Sequence, residues 1–306
     1  MTESDEKLEQ LVQRIDPEDK LLRTWQLEGG VSSGVTAMEI ARPDGQTRKL
    51  IVRQHGEADL KRNPNIAVNE FRLLQILQSS GISTPAPYYV DQTAEIFATP
   101  CLVLEYIEGV PEFAPADVAD FVRQAATHLA AIHRINASVH DLSFLPNHTS
   151  SITRKLGERP EKLDDSLDEG LIRDKLEAVW PLSQRNDTVL VHGDFWPGNL
   201  LWKAGQLVGI VDWEDAALGD PLADVGNTRL EILWAFGTEA MKRFTEHYQS
   251  LMTAVDFSNL PYWDLCAALR AAFKIAEWAG DDAKERKMRE RHQWFVSKAF
   301  EKIDVL

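Results

Sequence analysis

The sequence predicts an α+β fold in two lobes, β-rich toward the N-terminus and mainly helical beyond it. Three observations predict this. Strand-like runs separated by turn residues recur up to residue 107, Gly109 and Pro111 then break the pattern, and apolar residues at helical spacing take over from residue 117. The expected division is residues 1–105 as the first lobe, 106–110 as a hinge and 111–306 as the helical lobe.

A first helix is expected from about Ser4, because Leu8, Leu11, Val12 and Ile15 share a face and Asp5 and Glu6 suit the positive end of the helix dipole. Pro17 stops it. From Leu27 a glycine-rich stretch leads through Val35–Ile40 to a turn at Pro43-Asp44-Gly45 and on to Lys49–Arg53, which reads as an antiparallel hairpin. A helix from about Asn65 places Val68, Phe71, Leu74 and Leu77 on one side and ends at Gly81. Strands are expected over Tyr88–Val90 and Cys101–Ile107. In the second lobe Phe121, Ala125, Leu129 and Ile132 mark a helix over Asp117–Ile135. Residues 138–170 are polar and turn-rich and read as an irregular insert. Strands return at Thr188–Val191, Asn199–Trp202 and Leu207–Val211, and the remainder is helical. Asp220 reads as the cap of a helix that starts at Pro221.

With 306 residues, 44% of them apolar, the chain can bury a substantial core. Its 33 Lys and Arg against 48 Asp and Glu give a net charge of -15, which argues against nucleic-acid and anionic-membrane partners. Cys101 and Cys266 are too few and too far apart for a disulfide framework or a zinc site, and are expected as reduced thiols. The first residues lack a cationic start followed by an apolar core, and no apolar run is long enough to span a membrane, so a cytoplasmic protein is expected.

The chemistry concentrates in His192-Gly193-Asp194-Phe195-Trp196-Pro197-Gly198-Asn199, followed by Ile210-Val211-Asp212-Trp213-Glu214. Asp194 follows the strand-like Val189–Val191, so it should project from a strand end into a loop. There a carboxylate can orient a hydroxyl or take its proton as the oxygen attacks phosphorus. Asn199 and Asp212 offer hard oxygens without the charge of an all-carboxylate cage, which suits Mg2+ that keeps water and phosphate oxygens in its shell.

These residues, with Gly219-Asp220-Pro221 and Asp224 downstream, resemble the aminoglycoside phosphotransferase, or choline-kinase-like, family of the protein-kinase-like fold. The resemblance implies phosphoryl transfer from ATP or GTP to a hydroxyl of a small molecule, aminoglycoside-like or amino-alcohol-like. It implies Asp194 as catalytic base, Asn199 and Asp212 as Mg2+ ligands, and His192 as support for the loop. Asp224 would brace the loop backbone, or else be a solvated helix carboxylate. The segment Leu102–Gly109 resembles the connection between lobes, where the Glu105 carbonyl and Ile107 amide would meet the adenine edge.

The first lobe holds the other parts such a site needs. Gly29, Gly30 and Gly34, with Ser32 and Ser33, would let backbone amides approach a triphosphate, although an ordinary flexible hairpin has the same composition. Strand alternation puts Lys49, Ile51 and Arg53 on one face. Ile51 could roof the adenine while Arg53 reaches the phosphates, with Glu70 as its ion-pair partner or the two as a plain surface pair. The kinase residue at position 53 is usually lysine, and arginine keeps its charge. Candidate acceptor contacts are Trp196, Glu231, Trp234, Glu277, Trp278 and Asp281, with Asp282 beside it. Trp234 and Trp278 also fit a core, and Asp281-Asp282 fits a helix start. Two other readings use the same residues: a catalytically silent nucleotide-binding pseudokinase serving as a regulatory module, and a metal-dependent hydrolase built on His192, Asp194 and Asp212.

Overall fold

The computed structural model of the chain describes residues 3–27, 33–135 and 139–305. It divides into two compact units, one formed by Met1–Glu108 with Val208–Glu214, the other by Gly109–Leu207 with Asp215–Leu306.

In the first unit, α1 (Glu3–Ile15) precedes three strands, β1 (Lys20–Gln26), β2 (Ser33–Ala41) and β3 (Thr47–His55). Two helices, α2 (Glu57–Arg62) and α3 (Ile66–Ser79), lead to β4 (Pro87–Asp91) and β5 (Cys101–Glu105). The strands form one antiparallel sheet in the order β1-β2-β3-β5-β4. The alternation in β3 turns Leu50 and Val52 to one face. There they join Met38, Ile40, Cys101 and Val103 beneath Leu8, Leu11 and Val12 of α1. Each such side chain contributes about 1.5–3 kcal/mol on burial. Ile51 and Arg53 lie on the opposite face. Gly45, with φ 79, permits the tight turn between β2 and β3. Strand β1 and helix α2 were not expected from sequence. β1 has no fully buried residue and so shows no clear alternation, while α2 is only six residues long.

The segment Val208–Glu214 belongs with this unit, although it lies a hundred residues downstream of the expected lobe boundary. The amide of Ile210 donates to the carbonyl of Ser83 at 2.8 Å, and Asp212 and Glu214 both reach Arg53. Nothing local in the sequence marks this return, because its partners are tertiary.

The second unit begins with the short strand β6 (Val110–Pro111) and α4 (Val118–His133), whose first turn is capped by Asp117. Residues 138–170 are not an irregular insert throughout. They include α5 (His148–Gly157) and a 3-10 turn over Asp165–Leu167. Asn147 caps α5 by accepting from the Ser150 amide at 2.9 Å, and only Leu156 of its residues is buried, so the helix shows almost no apolar periodicity. Next come α6 (Glu169–Glu177), β7 (Val189–Val191), β8 (Leu200–Lys203), β9 (Gln206–Ile210), whose residues from Val208 on belong to the first unit, and β10 (Ala217–Gly219). β10, unforeseen, pairs antiparallel with β7 through Ala217↔Val191 and Gly219↔Val189. The chain then runs through α7 (Leu222–Phe236), α8 (Thr238–Leu251), α9 (Leu260–Leu269), α10 (Ile275–Ala279) and α11 (Asp282–Ile303). Helix α7 starts one residue later than expected, and the Asp220 carboxylate accepts from the Leu222 amide at 2.9 Å. α7 packs closely on α9: a Cβ on Gly226 would lie 2.8 Å from the Trp263 carbonyl oxygen. A buried pair between Arg229 and both carboxylate oxygens of Asp264 ties the same two helices at 2.9 and 3.1 Å. Cys101 and Cys266 are buried free thiols. Among the described residues no helix is long and apolar enough to cross a membrane.

Candidate active site

The loop after β7 is held by one face of α7. The carboxylate of Asp224 accepts from the amides of His192 at 2.6 Å and Gly193 at 2.8 Å, and meets His133 Nε2 at 3.1 Å. Burial opposes its charge, but His133 and the ring and amide of His192 hold Asp224 below the usual carboxylate range. One helical turn on, the Thr228 hydroxyl donates to the Phe195 carbonyl at 2.8 Å. His192 is fully buried, and its Nδ1 accepts from the Asp194 amide at 3.2 Å. Its ring meets Phe195 edge-on.

Asp194 is thereby presented at the end of β7 with both oxygens engaged. Oδ1 accepts from Arg270 Nη2 at 2.6 Å, and Oδ2 from Asn199 Nδ2 at 3.2 Å. Asn199 is buried, and its Nδ2 also donates to the Asp194 carbonyl at 3.0 Å. Gly193 sits at φ 81, and a Cβ there would lie 2.3 Å from the Asp215 carbonyl oxygen. Gly193→Ala combines left-handed strain with a backbone clash, and should lower stability by about 2–4 kcal/mol in urea unfolding.

In the first unit Arg53 is 6% exposed. Its Nη1 bonds Glu70 at 2.7 Å, and its Nη2 bonds Asp212 at 2.5 Å and Glu214 at 2.7 Å. The guanidinium's affinity for its proton is raised despite burial, because Glu70, Asp212 and Glu214 surround it. Burial likewise opposes the Glu70 charge, yet Arg53 and His55 hold it below the usual range. Asp212 adopts φ 66, a left-handed conformation that costs an L-residue about 1–2 kcal/mol, and Arg53 holds it there. The contact takes one carboxylate oxygen and leaves Oδ2. The amide oxygen of Asn199 and the free carboxylate oxygen of Asp212 are each a donor type that a partly hydrated Mg2+ accepts.

Gly29, Gly30 and Ser32 lie outside the described residues. Ser33 and Gly34 pair with His55 and Gln54 at the start of β2, and the space a Gly34 Cβ would occupy is open. Ile51 is half-buried between Ala37 and Leu104. Glu105 ends β5 and turns its carboxylate back to the Ala86 amide at 3.1 Å, and Ile107 follows outside any strand.

The acceptor candidates divide. Trp196 is half-buried, lies over Gly198 and approaches Phe113, their ring centroids 6.1 Å apart. Trp234 is buried and stacks on His292, whereas Trp278 is 44% exposed beside it. Glu277 is exposed, and Asp281 caps α11 by accepting from Ala283 and Lys284. Glu231, half-buried on α7, is pushed up to about 8 from an ordinary 4.5, chiefly by burial; Arg270 works against the shift and Asp194 adds to it. Between those values the folded protein keeps a proton that the unfolded chain has lost. The stability of the neutral form is therefore complete below about 4.5 and disappears as pH rises through about 8. Glu231→Gln stays neutral throughout, so its urea midpoint should gain on the wild type from pH 6 to 9, by on the order of 1–3 kcal/mol.

Arg270, Asn227 and Thr228 were not foreseen. Asp224, Asn227, Thr228 and Glu231 follow an i, i+3, i+4, i+7 spacing, a polar stripe on a helix whose other residues, Arg229 apart, are apolar or glycine, and that stripe was the available signal. Arg270 carried none.

A family model described as the phosphotransferase enzyme family matches residues 30–269. The chain belongs to this family. Viomycin phosphotransferase of Streptomyces vinaceus is 28% identical over 157 residues, 47% of this chain and 55% of that protein. Acyl-CoA dehydrogenase family member 10 of Mus musculus is 26% identical over 194 residues, 58% of this chain. The chain spans only 18% of that mouse protein's length, and 23% of a Rattus norvegicus family member 11 to which it is 24% identical. Among solved structures, a macrolide 2'-phosphotransferase type I is 19% identical with a TM-score of 0.66, over 95% of this chain and 97% of that one. The GDP complex of an aminoglycoside 2'-phosphotransferase is 16% identical with a TM-score of 0.64, over 99% and 98%. The fold is protein-kinase-like, α+β, with the antiparallel sheet in the N-terminal part and the helices in the C-terminal part.

Proposed function

We propose that the protein transfers the γ-phosphate of ATP or GTP to a hydroxyl of a small molecule. The observation that carries this reading is Asp194, presented at a strand end on a loop whose backbone is bonded to the buried Asp224. Family membership supports it. Asp194 orients the acceptor hydroxyl and receives its proton as the new oxygen–phosphorus bond forms. The bond from the γ-phosphorus to the bridging oxygen breaks, and nucleoside diphosphate leaves. Asn199 and Asp212 would each supply an oxygen ligand to Mg2+, which when bound would offset charge on the phosphates. Arg53 keeps Asp212 in place and lends positive charge, and Glu70 anchors Arg53. Gly29, Gly30, Ser32, Ser33 and Gly34 contribute the phosphate loop, Ile51 covers the adenine, and the Glu105 carbonyl and Ile107 amide meet its edge. His192 and Asp224 support the loop. Trp196, Glu231, Trp234, Glu277, Trp278 and Asp281 are the acceptor-side candidates, and a cytoplasmic setting suits the nucleotide.

The test is release of nucleoside diphosphate across aminoglycosides, macrolides, amino alcohols, sugars and hydroxy acids, with product analysis. Stimulation by one class together with a phosphorylated acceptor supports the reading. Mg2+-dependent nucleotide binding without any product would favour the regulatory pseudokinase instead.

A further inference from the structure

Arg270, at the C-terminal end of α9, lies one residue beyond the family match and points its guanidinium at the candidate base. Its Nη1 donates to the Gly193 carbonyl at 2.9 Å and to Asn227 Oδ1 at 2.8 Å, and its Nη2 to Asp194 Oδ1 at 2.6 Å. A guanidinium has five N–H donors. Those contacts use both hydrogens of Nη1 and one of Nη2, leaving Nε–H and the second Nη2 hydrogen. The side chain is 37% exposed. Asn227 is 5% exposed, and its Nδ2 has no partner among the described residues, so a second polar group at this point is incompletely satisfied.

The surrounding charge is not that of a cation site. Burial opposes the Arg270 charge, but Asp194, Glu231 and Asp215 together raise its hold on its proton. Burial pushes Glu231 up to about 8, so it stays protonated at neutral pH. Asp281 is taken by its helix cap, and Asp164 by the Phe273 amide at 2.8 Å. The exposed rings of Phe273 and Trp278 carry the amines of Lys162 and Lys274, at 5.7 and 5.8 Å from the ring centroids. A guanidinium against Asp194 would repel an ammonium beside the reacting hydroxyl and attract an anion there.

We propose that Arg270 is an acceptor-specificity residue: its uncommitted donors hold an anionic group, carboxylate or phosphate ester, of the acceptor whose hydroxyl Asp194 orients. The inference rests on the phosphotransferase reading and narrows it away from polycationic acceptors.

The test is calorimetric binding to the full chain, with Mg2+ and a non-hydrolysable ATP analogue present. Matched pairs are used: hydroxycarboxylic acids against their amides, and hydroxyalkyl phosphates against the corresponding diols. Wild type should bind an anionic member about tenfold or more tightly than its neutral partner. That preference should vanish in Arg270→Gln and persist, weakened, in Arg270→Lys, with nucleotide affinity unchanged. The carboxylate and phosphate arms identify which anion is recognised. Absence of preference in the wild type, which needs no variant to fold, overturns the proposal. So does a preference retained in Arg270→Gln, or a loss that falls on the nucleotide instead. Anion-selective binding without phosphorylated product would leave this site standing and remove the transfer reaction. Transfer to neutral or cationic acceptors without anion preference would do the reverse.

Discussion

Asp194→Ala is expected to lower turnover by on the order of 10²–10⁴-fold, the usual contribution of a positioned acid–base group. Its Oδ1 is held by Arg270 and its Oδ2 by Asn199, so the carboxylate has one orientation from which to accept a proton. Mg2+–nucleotide affinity should change little, because the role proposed for Asp194 is toward the acceptor and not the triphosphate. Asp194→Asn is the sharper variant. It keeps the shape and a hydrogen-bonding oxygen toward Arg270 but cannot receive a proton, and should fall as far as the alanine variant. Single-turnover transfer and nucleotide titration measured side by side check both, and turnover retained in either variant would sink the assignment.

Arg53→Ala should lower stability by about 3–5 kcal/mol, the penalty for removing one partner from a buried ionic group. Three carboxylates meet this guanidinium, and Glu70 is almost wholly buried, so its charge would be left without its nearest cation. Some of the loss should be recovered as Glu70 takes up a proton. Acidification from pH 8 to 5 should therefore narrow the gap to wild type in urea unfolding. Arg53→Lys keeps a cation but cannot span Glu70, Asp212 and Glu214 with a fixed fork, and should fall between the two. Because Asp212 is held in its left-handed conformation through this contact, Mg2+-dependent nucleotide binding should weaken in both variants. Unchanged stability in Arg53→Ala would mean the cluster contributes nothing net.

Much of the element pattern was visible in the chain. The face of α1, the turn at Pro43–Gly45 and the apolar stripe of α4 each depend on interactions within a few residues, and such signals are written locally. Elements without a strong local signal were missed. Strand β1 has no fully buried residue, α5 buries little but Leu156, and β10 exists only because β7 lies opposite it. The Asp194–Asn199 contact spans five residues of one loop and so is carried by spacing in the motif. Arg270 reaches Asp194 across 76 residues, and no pattern around it announces that meeting.

By itself the sequence determined the α+β class, the identity and order of the chemical groups, and the phosphotransferase family they resemble. Tertiary structure alone decided that Val208–Glu214 returns to the sheet-bearing unit, that one guanidinium gathers Glu70, Asp212 and Glu214, and that Arg270 stands against Asp194. The physical reason is one of range. Periodicity, capping and turn chemistry act between near neighbours, whereas the charge and hydrogen bonding felt by a buried side chain come from whatever folding brings beside it.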